Sequence, residues 1–502
     1  MPSGERPQRT TVVDETGSPR ALGVGPETFA SFGRGPEPVF LGLGPDPAVA
    51  VGLAGGRPAA FLECPAFAAA MPPPWAQAVP ADWERLEPEA LSPARAARST
   101  FYLYRQNTRL FPSFWGSIWA RAQLALLPRP EKAETTPAVL LARRQGGLLE
   151  PEIARALAAL GRPVTDIPAE ASGPAVARML AAGKPSLFLC VNGAGLDDDG
   201  LLFSLLAEAG VPVAVWFVDN PFHVLGRFRG AFWKKARLFV TDGAFLAPLR
   251  SLGAQSAVHL PLAAADHFFT ARPEPGLANR TVFVGRSAFA GRDQFFAGCR
   301  VPEALLATAR SLVAAGGRPD FFWWRARLGD APLWPGKAGR TAGLGAETAS
   351  LFLRAGVLAA LAGAVPLSVY GDPGWQGLLP ESATLHGPID YYGPLAGLYA
   401  GAGLVANVTS LLLPGGLTQR HFDVWAAGGC LLTDATPGLP LFPARLTAPV
   451  TYATPAGAAS LARTLLADPG RRADIAAGWR RLMAAEHRYE HRLALLLDQC
   501  TL

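Results

Sequence analysis

"GGLTQRHFDVWAAGGCLLTD", Gly415 to Asp434, is the stretch whose reading decides the fold. It reads as a helix from Gln419 to Ala427, a turn at Gly428-Gly429 and an apolar strand from Cys430 to Thr433. A helix feeding through glycine into a buried strand is half of a βαβ unit, so the stretch implies a parallel sheet with covered faces. Its polar residues gather at one end, and two readings fit them. Arg420 and Asp423 can form a local i,i+3 pair on a solvated helix. Alternatively, the helix start is an anion site, where backbone N–H groups and the dipole hold phosphate oxygens. Gly415 and Gly416 then let the backbone approach the ligand. Arg420 offers a bidentate fork to phosphate, and Asp423 accepts from vicinal hydroxyls. Spacing alone leaves both open.

The same rhythm extends in both directions. Upstream, "TVFVGR" (Thr281–Arg286), "PLSVYGD" (Pro366–Asp372), "ATLHG" (Ala383–Gly387) and "GLVANVT" (Gly403–Thr409) are short apolar runs ending in polar residues or glycine. Downstream comes "PVTYAT" (Pro449–Thr454), with helical segments such as Leu351–Ala362 and Leu395–Ala402 between runs. An earlier series has the same form: "AVLLARR" (Ala138–Arg144), "PVTDI", "SLFLCVNG" (Ser186–Gly193), "VPVAVWFVD" (Val211–Asp219) and "ARLFVTD" (Ala236–Asp242). Proline-rich "TARPEPGLANR" (Thr270–Arg280) separates the two series, and charged "PRPEKAETTP" (Pro128–Pro137) precedes the first. Strands alternating with helices in two runs predict two Rossmann-like parallel-sheet domains facing a cleft.

A chain of 502 residues, half of them hydrophobic, has room for about three domains. The net charge of +6 and pI near 9.2 are spread without a lysine/arginine block, which argues against a nucleic-acid partner. The five cysteines are far apart, with no CxxC pair, so neither a disulfide framework nor a zinc site is expected. The polar N-terminus lacks an apolar h-region, and no uninterrupted apolar run spans a bilayer. These features point to a cytoplasmic protein without a transmembrane segment, leaving room for peripheral membrane contact.

Ligands of doubly wound sheets sit outside the carboxyl ends of the strands. The residues there are Asn192-Gly193, Asp219-Asn220, Thr241-Asp242, Gly285-Arg286, Gly371-Asp372, His386-Gly387 and Asn407 to Ser410. Each alone reads as a cap or turn. Seven at equivalent positions read as a cleft. His487 and His491 lie one turn apart, but no third metal ligand accompanies them. In "LDDDG" the aspartates Asp197 to Asp199 read as a solvated capping loop and as the nearest approach to a DxD.

The segment from Leu385 to Asp434 resembles the C-terminal half of GT-B glycosyltransferases. The closest likeness is to a CgeB-like, spore-maturation-type branch, carried by "VYGDPGW" (Val369–Trp375), "GLTQRHFDVWAAGGCLLTD" and "EHRYEHR" (Glu486–Arg492). "VNGAGLDDDG" (Val191–Gly200) and "WFVDNPF" (Trp216–Phe222) resemble that group's N-terminal half. The resemblance implies transfer of a sugar from a nucleotide-sugar to a protein, lipid or glycan acceptor, with no cofactor, and no metal is expected because the glycine, arginine and helix-end features can hold a diphosphate. The rival reading is a catalytically inactive scaffold for a glycosylated surface structure. By position, Asp423 falls where related retaining enzymes carry a ribose-binding glutamate. Eight residues earlier, where they often carry a second acid, stands Gly415. The implied donor site comprises Gly285, Arg286 and Arg292 at the diphosphate, and His386, Gly387 and Ile389 of the His386–Tyr391 base pocket. Gly416, Leu417, Arg420, Asp423, Gly428 and Gly429 complete it. Asn192, Gly193, Asp219 and Asn220 are expected on the acceptor side, with Asp219 and His223 as candidates for the catalytic base.

Residues 1–35 read as a disordered tail. In residues 36–130, "VFLGLGPDPAVAVGLAGGRPAAFLE" resembles the first half of a Rossmann unit of S-adenosylmethionine-dependent methyltransferases, with Glu63 at the ribose position. With no later methyltransferase motif, an accessory domain is expected there. The two main domains are expected over 137–270 and 279–475. Residues 476–502 should form a C-terminal helix packing back on the N-terminal domain.

Overall fold

Alternating apolar runs and helices give three parallel-rich sheets in the computed structural model, which describes residues 10–127 and 135–500. The expected linker at Pro128–Pro137 lies mostly outside the described residues. By contacts the chain divides into two compact units. One comprises Met1–Gly147, Pro163–Val215 and Arg227–Arg237, and the other Leu148–Arg162, Trp216–Gly226 and Leu238–Leu502.

The expected tail is corrected from Thr10 onward. Strands β1 (Thr11–Val13) and β2 (Pro19–Ala21) pair as an antiparallel hairpin. β3 (Phe29–Gly33) joins a five-stranded sheet with β4 (Glu37–Leu41), β5 (Ala60–Leu62), β6 (Glu84–Arg85) and β7 (Ser99–Tyr104). Its order is β3-β7-β4-β5-β6, with β3 antiparallel at the edge. Val12 and Phe29 are buried in the same cluster as Phe40 and Trp115, so this segment contributes to a core.

The second sheet contains β8 (Thr135–Arg143), β9 (Val164–Pro168), β10 (Lys184–Val191), β11 (Val213–Phe217), β12 (Arg237–Val240) and β13 (Ser256–His259). Its order is β13-β12-β11-β10-β8-β9, and β8 runs parallel to both neighbours.

The third contains β14 (Thr281–Val284), β15 (Leu367–Tyr370), β16 (Ala383–His386), β17 (Leu404–Asn407), β18 (Leu431–Asp434) and β19 (Thr451–Tyr452). All its pairs are parallel, in the order β16-β15-β14-β17-β18-β19. Both six-stranded sheets are Rossmann-like, the fold class that the strand–helix alternation implies. In the third the strand order reverses between β14 and β17, which makes their carboxyl ends the crevice for a ligand.

Helix Ala338–Ala362 is 25 residues long and apolar enough, by length and composition, to cross a membrane. It is not an uninterrupted apolar run, since Arg340, Glu347 and Arg354 break it. Half of its most apolar window is buried, and it packs against helices Glu303–Ala314, Phe321–Arg327 and Pro455–Leu466. Its Glu347 pairs with Arg354 at 3.2 Å. These are features of a core helix.

The C-terminal helix expected over residues 476–502 is broken once, between Pro469–Glu486 and Tyr489–Cys500. The last packs on helix Glu150–Ala159, while Arg492 Nε donates to the carbonyls of Pro261 and Leu262.

Candidate functional site

The site is best built from the β14–β17 reversal. Asn407, the last residue of β17, is fully buried, and its carboxamide is saturated. Its Oδ1 accepts from Thr418 Oγ1 at 2.8 Å and from Arg420 Nε at 2.8 Å. Its Nδ2 donates to Thr409 Oγ1 and Thr433 Oγ1. Asp434 Oδ1 accepts the N–H and hydroxyl of Thr409, and Asp434 Oδ2 pairs with Arg318. Side chains from β17, β18 and the 418–420 turn thus fix the loop Val408–Ser410 from beneath. Such a satisfied buried network orders backbone that would otherwise be mobile.

The loops after β14 and β15 are clamped together. Asp372 accepts from Ser287 N and Ser287 Oγ, and Trp375 Nε1 donates to Gly285 O. A Cβ on Gly371 would lie 2.3 Å from Gly285 O, so the approach of these loops requires glycine. Arg354 Nη1 donates to Arg286 O, which leaves the Arg286 side chain exposed at the end of β14. Arg292 is held to one side, half-buried, by Thr348 and Asp293. At the ends of β15 and β16 the rings of Tyr370 and His386 stack at 4.4 Å and 11°. Gly387 is exposed beyond them and Ile389 half-buried.

Three expected donor contacts are corrected by this geometry. Gly428 and Gly429 precede β18, so they lie at the amino edge of a parallel sheet, opposite the strand ends. Gly428 closes the helix at φ +80°, and a Cβ on Gly429 would meet Tyr399 O at 2.4 Å. Both are elements of the fold. Arg420 turns inward. Its Nη1 donates to Val284 O and its Nε to Asn407, so the guanidinium stitches β14 to β17 where a phosphate fork was expected. Asp423 is 1% exposed and accepts from Tyr391 Oη at 2.8 Å, Gln419 Nε2 at 3.0 Å and Ala265 N at 3.3 Å. It anchors the 386–392 loop through Tyr391. Burial pushes its carboxyl up to about 8, against the lowering effect of Gln419 and Tyr391.

Gly415 and Gly416 lie on the turn before that helix. Gly415 N–H donates to Asp242 Oδ2 at 2.9 Å, and a Cβ on Gly416 would crowd Leu413. Leu417 is buried. Asp242 also caps Ala244, and burial raises its pKa.

The acceptor-side residues fall in both units. Asn192 and Gly193 follow β10 in left-handed conformations, φ 51° and 66°, and Gly193 O accepts from Arg227 Nη2. Asp219 is exposed on the loop after β11. Asn220 is buried, capping Phe222 N and donating to Leu412 O. His223 does not fit a base. Its ring packs among Phe295, Phe296 and Phe321, and its buried Nε2 faces Gly343. Burial lowers its pKa to about 4. His487 is buried beside Arg492 and against Phe422 and Phe442. Asp197 caps Leu201 and Leu202.

Sequence reading placed Asn407 and Asp372 at strand ends without giving them a role, and it missed Tyr370. Their signal was position, since each ends or follows a strand. In the first unit, the glycine turn after β4 is filled by the chain itself. Glu63 accepts from Leu43 N and Cys64 N, Asn107 Nδ2 donates to Leu41 O, and Trp75 Nε1 donates to Gly44 O. A Cβ on Gly42 would sit 1.8 Å from Asn107 Nδ2. S-adenosylmethionine is therefore expected to leave the thermal transition unmoved, and a saturable upward shift would contradict this closed turn.

A comparison with curated proteins returned no match. Among solved structures, the chain is similar to TarM of S. aureus at 10% identity and TM-score 0.34. That match covers 63% of this chain and 55% of TarM, so the chain spans about half the length of that relative. It is also similar to Anabaena HepE in complex with UDP and glucose, at 13% identity, 72% and 99% coverage and TM-score 0.42. A third is the T4 phage BGT in complex with UDP-glucose, at 8% identity, 73% and 99% coverage and TM-score 0.38. Residues 351–498, which include β15 to β19 and the helices after them, match the family model described as glycosyl transferase-like.

Proposed function

We propose that the chain is a GT-B glycosyltransferase that moves a sugar from a nucleoside-diphosphate sugar to an acceptor hydroxyl. The observation carrying this reading is the reversal between β14 and β17, with Gly285, Arg286, Gly371 and Val408–Ser410 at its mouth, next to the glycosyl transferase-like region. In the proposal the diphosphate lies over Gly285 and the Gly416–Leu417 backbone, with Arg286 supplying the charge. The base stacks near Tyr370 and His386. The acceptor oxygen bonds to the anomeric carbon as the bond from that carbon to the diphosphate oxygen breaks, and the diphosphate leaves with the electron pair. Asp219, exposed on the acceptor side, takes the acceptor's proton in an inverting reaction. The reading includes no metal. Backbone donors and Arg286 stabilise the leaving charge by pre-organised electrostatics.

Isothermal titration with UDP, GDP and UDP-glucose tests this reading. One of them is expected to bind with Kd below about 1 mM, which corresponds to about −4 kcal/mol. Arg286→Ala should weaken that binding about tenfold, as befits one charge-assisted hydrogen bond. Because Arg286 is exposed, the thermal transition should stay put. Absence of binding by all three nucleotides would overturn the proposal.

The inward turn of Arg420 and Asp423 favours a second reading, a non-catalytic scaffold. Slow hydrolysis of a nucleotide-sugar, abolished in Asp219→Asn, would count against it.

A further inference from the structure

The first unit holds a cavity of about 600 Å³ that none of the residues discussed so far explains. We propose that it takes the aliphatic chain of an amphiphilic molecule, and that this molecule is the acceptor of the transfer proposed above, on which this second part rests. The cavity opens between three helices. Trp119 and Leu127 come from Pro112–Leu126 and the residue after it, Leu201, Leu202 and Leu205 from Leu201–Glu208, and Ala177 from Ser172–Ala182. Its floor is Gly195, Leu196 and Asp197, which begin three residues after Asn192 at the end of β10. The cavity thus sits beside the strand end where the sequence places the acceptor.

The polar atoms in its wall decide the chemistry of the occupant. Both oxygens of Asp197 are taken by N–H groups of Asp199, Leu201 and Leu202. Ser172 donates its hydroxyl to Gly195 O. Neither invites a polar ligand. Glu170, exposed, and Gln123, half-buried, are the polar side chains that remain near the lining. Among the described residues no cation lines the cavity, a lining that does not favour a phosphate or carboxylate. Its volume lies in the range of small-molecule sites, and its walls are mostly leucine, alanine and proline, a surface to which a flexible alkyl or prenyl chain conforms.

The test is displacement of the neutral fluorophore N-phenyl-1-naphthylamine from the full chain by n-alkanols from hexanol to decanol. The expected result is saturable uptake of the fluorophore, with each added methylene tightening displacement about fourfold until the cavity is full. Ala177→Trp, which fills the space, should abolish uptake. Leu201→Asp, which places a charge at its edge, should weaken uptake at least tenfold. Far-ultraviolet circular dichroism and UDP titration of both variants report whether they fold. No saturable uptake, a flat ladder, or undiminished uptake in folded variants would overturn the site. A ladder in a protein that binds no UDP, GDP or UDP-glucose would keep the apolar site and remove the acceptor role with the glycosyltransferase reading. A ladder together with nucleotide binding supports both.

Discussion

Replacing Arg420 with methionine is expected to destabilise the second unit by about 3–5 kcal/mol, more than any substitution at the exposed end of the crevice. The guanidinium is half-buried, turned inward, and joins two strands whose sequence separation is large. Nη1 donates to Val284 O on β14, and Nε donates to Asn407 Oδ1 on β17. Methionine matches its length and packs adequately, but it donates nothing. The Val284 carbonyl loses a charge-assisted bond, and Asn407 keeps only Thr418 as donor to its Oδ1, at roughly 1–3 kcal/mol for each buried group left short. Lysine should recover less than half of the loss, since one ammonium cannot span both acceptors as a planar fork does. Urea unfolding followed by tryptophan fluorescence reports the effect. It should appear as a lower midpoint of the transition belonging to this unit rather than as one global shift, because a two-unit chain need not unfold in a single step. A variant as stable as the parent would mean that the guanidinium is a ligand-facing group after all.

This orientation of Arg420 shows where sequence reading stops. The strands of the third sheet were legible to within a residue or two, because each is a short apolar run closed by a polar residue or glycine. "TVFVGR" became Thr281–Val284 and "GLVANVT" became Leu404–Asn407. The hairpin Thr11–Ala21 was not legible, since strands of three residues carry too little alternation to separate from loop, and their burial depends on a core far along the chain. The positions of candidate site residues were legible too, because a parallel α/β sheet sends its chemistry to the carboxyl ends. Their directions were not. Whether Arg420 points at a phosphate or at Val284 O depends on a partner 136 residues away, and the Asp242–Gly415 contact spans 173 residues. No local pattern encodes either. Gly428 and Gly429 illustrate a different failure. Glycine required by close backbone approach looks the same in sequence as glycine required by a ligand, and only the topology assigns them to the amino edge.

Asp423→Asn should flatten a pH dependence that the parent protein displays between about pH 4 and pH 8. The carboxyl lies among Tyr391, Gln419 and Ala265, with the charges of Glu152 and the Tyr489 ring also near it. Burial raises its pKa from 3.8 to about 8 in the folded protein. Between those values the folded chain keeps a proton that the unfolded chain has released. Stability from this group is therefore greatest at low pH and falls as pH rises through the window, by at most about 1.4 kcal/mol per pH unit. His421 acts in the opposite sense. Burial lowers its pKa to about 4, and its Nδ1 accepts from Thr418 N, so its contribution is present above about pH 6.5 and is lost on acidification. Other groups shared by the parent and the variant enter alongside it, Glu63 among them. Subtracting the variant's transition temperature from the parent's at each pH cancels these shared contributions. The difference should decline from pH 5 to pH 8 and level off above about pH 9. A difference that stays flat or grows would mean that Asp423 is ionised throughout. The Tyr391 bond would then be charge-assisted, and a carboxylate held open by so few donors could turn toward the hydroxyls of a bound ribose.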